Sequence, residues 1–218
     1  MNPASRTYAV SVGLNVPQDL EPQRTYALFG TRRGGTSMVA GVARALGLDL
    51  GRTGKRKNNE DPRFQGATLP ALWSLVEERN ASADVWGWKH PAAGRYLTEL
   101  SRSLRNPYYI VVYRDPVASA QSQIKRDKEA KRRTTRLALH ESTSSVTVNT
   151  GFVLASERPS LLVSYERAIA DQNGLIDDIA AFLGVDAPTD PLRSSILAYI
   201  KPGQYKAYDD FFAADRDS

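Results

Sequence analysis

The sequence predicts an α/β fold of three layers, in which a central, mostly parallel sheet is covered by helices on both faces. Two observations support this prediction. Short apolar runs alternate with longer amphipathic segments along the chain, and this alternation is typical of parallel βαβ units. A glycine-rich turn joins the first apolar run to the first amphipathic segment. With 218 residues, 41% of them hydrophobic, the chain is long enough for one domain with a sizeable core.

The predicted elements follow in order from these patterns. Strands are predicted at the short apolar runs of residues 25–29, 85–88, 108–113 and 160–164. Helices are predicted at the amphipathic segments of residues 35–46, 69–79, 94–104, 117–131, 137–157, 175–183 and 191–199. We expect an extended lead-in at 1–23, a single domain at 24–200, a charged loop over the site at 49–66, and a C-terminal tail at 201–218.

The turn after the first strand has the spacing of a phosphate-binding loop. Gly30, Gly35 and Ser37 fit the pattern Gly-x-x-x-x-Gly-Lys-Ser/Thr, but Thr36 stands where the lysine belongs. Such a turn points unpaired backbone N–H groups and the positive end of a helix dipole at an anion. We therefore expect a P-loop-like nucleotide-binding fold without the lysine that nucleotide triphosphatases use.

Three segments resemble the cofactor-binding elements of the sulfotransferases. The first, Arg33-Gly-Gly-Thr-Ser37, resembles the family's 5′-phosphosulfate loop, Lys/Arg-Ser-Gly-Thr/Ser-Thr/Ser. The second is the run from Tyr109 to Pro116, which ends in Arg114-Asp-Pro. Ser122 follows Arg114 by eight residues, as in the family's 3′-phosphate element.

The third segment lies near the end of the predicted domain. Leu161-Leu-Val-Ser-Tyr-Glu166 and the later Ala181-Phe-Leu-Gly-Val185 are similar to the family's Tyr-Glu-Asp-Leu and Phe-Leu-Gly sequences. Two positions depart from the family pattern, where Gly34 replaces a serine and Arg167 replaces an aspartate. The three segments occur in family order between residues 25 and 185, so the resemblance covers most of the chain.

The resemblance implies an enzyme that takes a sulfuryl group from 3′-phosphoadenosine 5′-phosphosulfate (PAPS), releases adenosine 3′,5′-bisphosphate (PAP) and needs no metal. It implies that the loop binds the 5′ end, with Arg33 supplying charge, and that Arg114 and Ser122 bind the 3′-phosphate. Tyr165 resembles the family tyrosine near the adenine, although a strand-end aromatic that caps the core stays an alternative. The expected cofactor-binding residues are Arg33, Gly34, Gly35, Thr36, Ser37, Arg114, Ser122 and Tyr165.

The candidate catalytic residues come from the segment Trp86-Gly-Trp-Lys-His-Pro91. His90 follows a predicted strand, and an imidazole that titrates near neutral pH suits a general base for the acceptor. Lys89 is expected to stabilise the leaving phosphate, together with the charge of Arg33. Many family members carry Lys-x-His at this strand end and others carry an acidic residue, whereas this chain has Lys-His-Pro, which is close to both patterns and identical to neither. Glu60 and Asp61 of the loop are the alternative bases.

The predicted site residues follow four different strands. Gly30, His90, Arg114 and Tyr165 each lie directly after a predicted strand. Ligands of open parallel sheets bind at the carboxyl ends of the strands. We therefore expect these four residues to meet at one edge of the sheet.

Two other classes of function stay open. A nucleotide-dependent P-loop kinase would share the loop, but Thr36 lacks the lysine side chain, and Arg114 interrupts the apolar run before Asp115. A non-catalytic nucleotide-binding protein with the same fold would bind the cofactor without turnover. The acceptor itself is expected to be a small molecule, a carbohydrate or a lipid headgroup.

Composition sets further limits. The chain has no cysteine, which excludes disulfides and thiolate chemistry and makes the cytoplasm the expected location. Two histidines in the whole chain argue against a structural zinc site. No apolar run reaches the length of a membrane span, and no secretory signal is visible at the N-terminus.

The net charge of +5 is concentrated in one segment. Residues 125–136 hold seven basic and two acidic side chains, and a smaller basic cluster consists of Arg52, Lys55, Arg56 and Lys57. The larger segment is either a solvated surface or a field that attracts an anionic cofactor or acceptor. Aromatic side chains are not interleaved with it, which argues against nucleic-acid binding. An oligomer stays open.

Overall fold

Six strands form one sheet in the computed structural model, which describes residues 6–53, 58–127 and 134–200. They are β1 (Arg6–Thr7), β2 (Ser11–Leu14), β3 (Arg24–Gly30), β4 (Val85–Lys89), β5 (Pro107–Tyr113) and β6 (Ser160–Ser164), in the order β1-β2-β6-β5-β3-β4. The neighbours β6, β5, β3 and β4 pair in parallel, whereas β2 is antiparallel to β6 and to β1. The predicted mostly parallel sheet is confirmed.

Helices cover both faces of this sheet. In the described ranges they are α1 (Thr36–Ala45), α2 (Leu69–Ser82), α3 (Leu97–Leu100), α4 (Pro116–Asp127), α5 (Thr135–Ser156), α6 (Tyr165–Ala170), α7 (Gln172–Leu183) and α8 (Asp190–Tyr199). Alternate residues of a strand point to opposite faces. Tyr26 and Leu28 of β3 pack with α1, α7 and α8, and Ala27 and Phe29 pack with α2, α3 and α5. The predicted three layers are therefore confirmed.

The sheet extends into the segment that the sequence predicted as an extended lead-in. β2 pairs with β6. The carboxylate of Asp178 on α7 accepts hydrogen bonds from the backbone N–H groups of Ala9 and Val10 and from the Ser11 hydroxyl, at distances between 2.7 and 3.0 Å. Asp178 lies 168 residues after Val10, so nothing in the local sequence around β2 signals this contact.

The helix predicted at residues 94–104 is interrupted. Short 3₁₀ turns at Ala93–Arg95 and Ser101–Ser103 flank the four residues of α3. Tyr96 leaves the helical conformation, with φ of −132° and ψ of −4°. Its hydroxyl is hydrogen-bonded to side chains of Trp88 and His90, and these contacts hold Tyr96 out of a continuous helix.

Some predictions fall on parts of the chain outside the described residues. These parts include most of the basic segment 125–136, the lysines of the smaller basic cluster, and the C-terminal segment 201–218. Attraction of an anion by the basic segment therefore stays a prediction. Within the described ranges, no helix is long and apolar enough to pass through a bilayer. The same ranges contain no group of three or more acidic or histidine side chains placed to hold a metal ion.

Candidate functional site

The carboxyl ends of four strands meet at one edge of the sheet, because β3, β4, β5 and β6 are parallel neighbours. Gly30 ends β3 and Lys89 ends β4, while Arg114 and Tyr165 follow the last residues of β5 and β6. This is the edge at which open parallel sheets bind ligands. The predicted meeting of these strand ends is observed.

Two glycines shape the turn between β3 and α1. A Cβ atom at Gly30 would lie 2.3 Å from the carbonyl oxygen of Val112 on β5, so only glycine allows this close approach. Gly35, which precedes the first residue of α1, has a φ of +89°. A Cβ atom there would lie 2.1 Å from the ring of Tyr165. The turn is therefore held tightly against β5 on one side and against Tyr165 on the other.

The N-terminus of α1 provides part of the predicted anion site. The helix begins at Thr36 and has no side-chain cap, and the amides of Gly35, Thr36 and Ser37 have no acceptor among the described residues. Gly34 differs from the expectation, because its N–H donates to the Thr31 carbonyl oxygen at 2.8 Å. The amides of Gly35, Thr36 and Ser37, but not that of Gly34, are thus available to an anion at the positive end of the helix dipole.

Arg33 connects the loop to the elements that follow β5. Its Nε donates to the Ser122 hydroxyl on α4 at 3.1 Å. Its carbonyl oxygen accepts a hydrogen bond from Nη1 of Arg114 at 2.7 Å. The backbone of Arg33 has a φ of +62°, in the left-handed region that few residues other than glycine adopt. Residues that the sequence assigned to the 5′ end and to the 3′ end of one cofactor are therefore in direct contact.

Arg114 is held between the loop and β6. Its guanidinium carbon lies 4.6 Å from the centroid of the Tyr165 ring, a distance typical of a cation–π contact. Asp115 serves a different purpose, because its carboxylate accepts a hydrogen bond from the Ala118 N–H at 2.7 Å and caps α4. The Nε of Arg114 is buried and has no hydrogen-bond partner among the described residues. A buried donor of this kind fits a ligand oxygen that accepts a hydrogen bond.

Lys89 brings an ammonium group to the loop from the neighbouring strand. Its Nζ donates to the Ser37 hydroxyl at 3.1 Å and to the Asn58 carbonyl oxygen at 3.4 Å, and it is paired with the Glu60 carboxylate. The side chain is 1% exposed. This burial lowers the pKa of Lys89, and the charge of Glu60, which would raise that pKa, offsets only part of the effect. An ammonium group from β4 therefore lies beside the loop, although the lysine position of the loop itself holds Thr36.

Two buried side chains outside the loop hold Ser37 in place. The Tyr199 hydroxyl at the end of α8 donates to the Ser37 carbonyl oxygen at 3.0 Å, and Nδ2 of Asn59 donates to the same oxygen at 3.2 Å. Asn59 is fully buried and Tyr199 is 2% exposed. The sequence did not predict either contact, because these residues lie 22 and 162 positions away from Ser37.

The segment before α2 is anchored on the sheet and places Glu60 at the site. The Phe64 ring stacks on Trp88, with centroids 4.9 Å apart and planes 8° apart. The buried Asp61 carboxylate accepts hydrogen bonds from the backbone and guanidinium of Arg63. Burial alone would raise the pKa of Asp61, but these hydrogen bonds outweigh it and lower that pKa. Asp61 therefore stabilises this turn, which leaves Glu60 as the carboxylate beside Lys89.

His90 is oriented by two aromatic side chains. Its Nδ1 lies 3.0 Å from the Tyr96 hydroxyl, which accepts a hydrogen bond from the indole N–H of Trp88 at 3.1 Å. Either the Tyr96 hydroxyl donates to Nδ1, or Nδ1–H donates to the Tyr96 oxygen. Only the second arrangement leaves Nε2 of the neutral ring able to accept a proton. The sequence contains no local signal for Tyr96 or Trp88 in this role.

The surroundings of His90 keep its imidazole neutral at pH 7. Burial has the largest effect and lowers the pKa of His90 from its ordinary value of 6.5. The nearby charge of Glu60 opposes this shift, whereas the charges of Lys89, Arg32 and Arg95 lower the pKa further. An imidazole without its second proton is the form that acts as a general base.

Two solved structures share this fold. The sulfotransferase domain from the Synechococcus PCC 7002 olefin synthase aligns with a TM-score of 0.52 and 19% identity, over 93% of this chain and 90% of that chain. The sulfotransferase domain from the curacin biosynthetic pathway aligns with a TM-score of 0.51 and 16% identity, over 82% of this chain and 78% of that chain. A third structure, of retinol dehydratase in a complex with retinol and PAP, aligns with a lower TM-score of 0.48 and 14% identity, over 86% of this chain and 67% of that chain.

The sequence comparison covers most of the domain. The model that describes the sulfotransferase family matches residues 28–190, a range that contains the loop, all four strand ends and the helices α1 to α7. No curated protein sequence matches the chain significantly.

Proposed function

Because this chain belongs to the sulfotransferase family, we propose that it transfers a sulfuryl group from PAPS to a hydroxyl or amine and releases PAP. The observation that carries the proposal is the direct contact between three separate segments. Arg33 of the loop contacts Ser122 of α4 and Arg114 after β5. Arg114 in turn lies over the ring of Tyr165. The resemblance assigns Arg33, Arg114 and Ser122 to the two anionic ends of the cofactor and Tyr165 to its adenine.

The residues present fit a cofactor with two anionic ends. At the 5′ end, the amides of 35–37, the α1 dipole and the Lys89 ammonium group would bind the phosphosulfate. At the 3′ end, Arg114 would bind the phosphate through its buried Nε and the rest of the guanidinium fork, with Ser122 as the second donor. Tyr165, beneath Gly35, would contact the nucleoside between them.

The chain's own residues would neutralise charge and move one proton. PAPS supplies a sulfuryl group joined through a bridging oxygen to an anionic phosphate. When the acceptor atom bonds to sulfur, the bond from sulfur to the bridging oxygen would break, and PAP would leave with that electron pair. Lys89, Arg33 and the N-terminus of α1 would stabilise the charge that grows on the bridging oxygen, as cations do in phosphoryl transfer. His90 would take the proton that the acceptor loses.

The tautomer of His90 decides whether it is the base. If Nδ1–H donates to Tyr96, then Nε2 can accept the proton of the acceptor. If Tyr96 donates to Nδ1, the ring carries its hydrogen on Nε2, and Glu60 becomes the base in its place. We propose the first arrangement, because it is the one in which a ring kept neutral by burial and three nearby cations can take up the proton of the acceptor.

We propose that the acceptor is a small molecule, a carbohydrate or a lipid headgroup and that the reaction takes place in the cytoplasm. The location rests on the cysteine-free sequence. The acceptor class rests on the polar and basic residues that line the cleft beside His90.

Calorimetric titration with PAP and with ATP, both without metal, tests the cofactor assignment. We expect clear binding of PAP and little binding of ATP. ATP binding alone would instead favour a P-loop kinase, and binding of neither nucleotide would favour a role without this cofactor. The variant Arg102→Ala serves as a control for substitution of an arginine outside the site. Arg102 is an exposed arginine on a different segment, so this variant should leave PAP binding unchanged.

Substitution of His90 tests the catalytic assignment separately from cofactor binding. His90→Asn keeps a polar atom for Tyr96 but cannot take up a proton near neutral pH. We expect it to bind PAP nearly as tightly as the wild type and to lose turnover of PAPS across a panel of hydroxyl and amine acceptors. Wild-type turnover in this variant would remove His90 from the mechanism and move the base to Glu60. Nitrogen-15 spectra of the wild type, which separate the two tautomers, provide the independent check.

A further inference from the structure

A cleft of about 270 Å³ lies beside the site, between the turn after β4 and helix α5. Its sheet side includes Gly30, the last residue of β3, and Pro91, the residue after His90. The cleft therefore adjoins the proposed base. Small-molecule pockets in proteins typically measure about 300–1,000 Å³, so this cleft lies close to the lower end of that range. The cleft therefore suits a small molecule.

One face of α5 gives this cleft a polar wall. Glu141, Ser144, Ser145 and Val148 all line it, and their spacing of three, one and three residues places them on one side of a helix. Asn149, which is 5% exposed, completes the wall. Hydroxyl and amide groups of this kind hydrogen-bond to hydroxyl groups of a ligand.

Two arginines face this wall from the edge of the sheet. Arg32 lies in the loop before Arg33, and Arg95 lies in the turn after β4, and both line the cleft. Both residues are exposed, and neither has a hydrogen-bond or ion-pair partner within the described ranges. The carboxylate of the lining comes from Glu141, so two guanidinium groups face one carboxylate. Both arginines also lower the pKa of His90 by their charge, which shows that they act within electrostatic reach of the proposed base.

We propose that this cleft binds the sulfuryl acceptor, and that the acceptor is a small hydroxylated molecule with an anionic group that Arg32 and Arg95 bind. The proposal rests on the proposed function and names the substrate class of the same site. Guanidinium groups bind carboxylates and phosphates in the same forked geometry, so either anion fits. With its anionic group on the arginines and its hydroxyl groups along α5, such a molecule would present another hydroxyl towards His90.

The chain's two histidines report on this cleft directly, because His140 lines it and His90 precedes Pro91. The protein is first saturated with PAP, so that the groups that bind the cofactor phosphates are occupied. Glucose, glucuronate and glucose 6-phosphate are then titrated in turn, and the imidazole signals are followed by NMR. The three sugars share one ring and differ in charge, and the two charged sugars distinguish a carboxylate from a phosphate.

We expect at least one charged sugar to shift the imidazole signals with a Kd at least about tenfold lower than that of glucose, as one charge-assisted contact provides. The double variant Arg32→Gln/Arg95→Gln should lose this preference while binding PAP like the wild type. Arg102→Gln, a matched substitution of an exposed arginine outside the cleft, should keep it.

Two results overturn the inference and leave the proposed function intact. One is an equal response to all three sugars, or no response to any, in protein that binds PAP. The other is a preference for charged sugars that the double variant retains. Failure of the wild type to bind PAP in the first step would instead overturn the proposed function, and the inference with it.

Discussion

Replacing Arg114 with alanine separates recognition of the 3′-phosphate from the rest of nucleotide binding. The substitution removes three contacts of different kinds. The hydrogen bond to the Arg33 carbonyl, 2.7 Å long, contributes about 0.5–1.5 kcal/mol, and the cation–π contact with Tyr165 about 0.5–1 kcal/mol. Both contacts order the loop for any nucleotide. The proposed charge-assisted contact to the 3′-phosphate contributes about 1.5–3 kcal/mol and exists only for a ligand that carries this group.

The assay is calorimetric and uses PAP beside 5′-AMP, which lacks the 3′-phosphate. We expect Arg114→Ala to weaken PAP binding by about 10- to 140-fold more than AMP binding, at about 1.4 kcal/mol for each factor of ten. Arg114→Lys keeps the charge but loses the forked geometry, so its loss should be intermediate. Arg102→Ala should bind both nucleotides like the wild type.

Equal losses for PAP and AMP would refute the assignment of Arg114 to the 3′-phosphate. Arg114 would then only support the loop through the Arg33 carbonyl. Unchanged binding of both nucleotides would refute the site itself, since even the loop contacts would not matter for a ligand.

Three further predictions concern groups around the loop. The imidazole of His90 should titrate below pH 6.5 in NMR spectra, since burial lowers its pKa. Turnover should therefore fall only in solutions more acidic than pH 6.5. Titration of His90 at or above this pH would contradict the effect of burial. Lys89→Met should lower the free energy of unfolding in urea by about 3–5 kcal/mol, because it leaves Glu60 without its buried partner. Adding Glu60→Gln should recover part of the loss, and no recovery would argue against the pair. Gly35→Ala should weaken PAP binding, because its φ of +89° costs alanine about 1–2 kcal/mol and its Cβ would meet the Tyr165 ring. A Kd like that of the wild type would show that the loop adapts.

The central part of the fold could be predicted because its signals are local. The apolar run of β3, the glycines of the turn and the amphipathic pattern of α1 are contiguous in the sequence. β5 is likewise a continuous apolar run, and Asp115 and Pro116 mark the start of α4. Since the strands are parallel, predicting where each one ends also predicted which residues meet.

The contacts that complete the site could not be predicted because they join distant positions. Lys89 was placed at a strand end by its sequence, but its pairing with Glu60 depends on how Phe64 packs against Trp88. Tyr96 lay in an amphipathic pattern that favours a helix, and its bonds to two side chains near β4 overrode that preference. Tertiary contacts of this kind decide local structure without leaving a periodic pattern in the chain.

The hydrogen bond between Tyr199 and Ser37 has a consequence for how the protein is made. The two residues lie 162 positions apart, and ribosomes add about 5–20 residues each second, so a nascent chain waits roughly 8–32 s after Ser37 is synthesised before Tyr199 exists. During that time the loop lacks one of the two side chains that hold its backbone. The loop is therefore completed only after α8 has been translated, and a chain stalled or truncated before α8 would carry every proposed phosphate ligand and still present them in an unfinished loop.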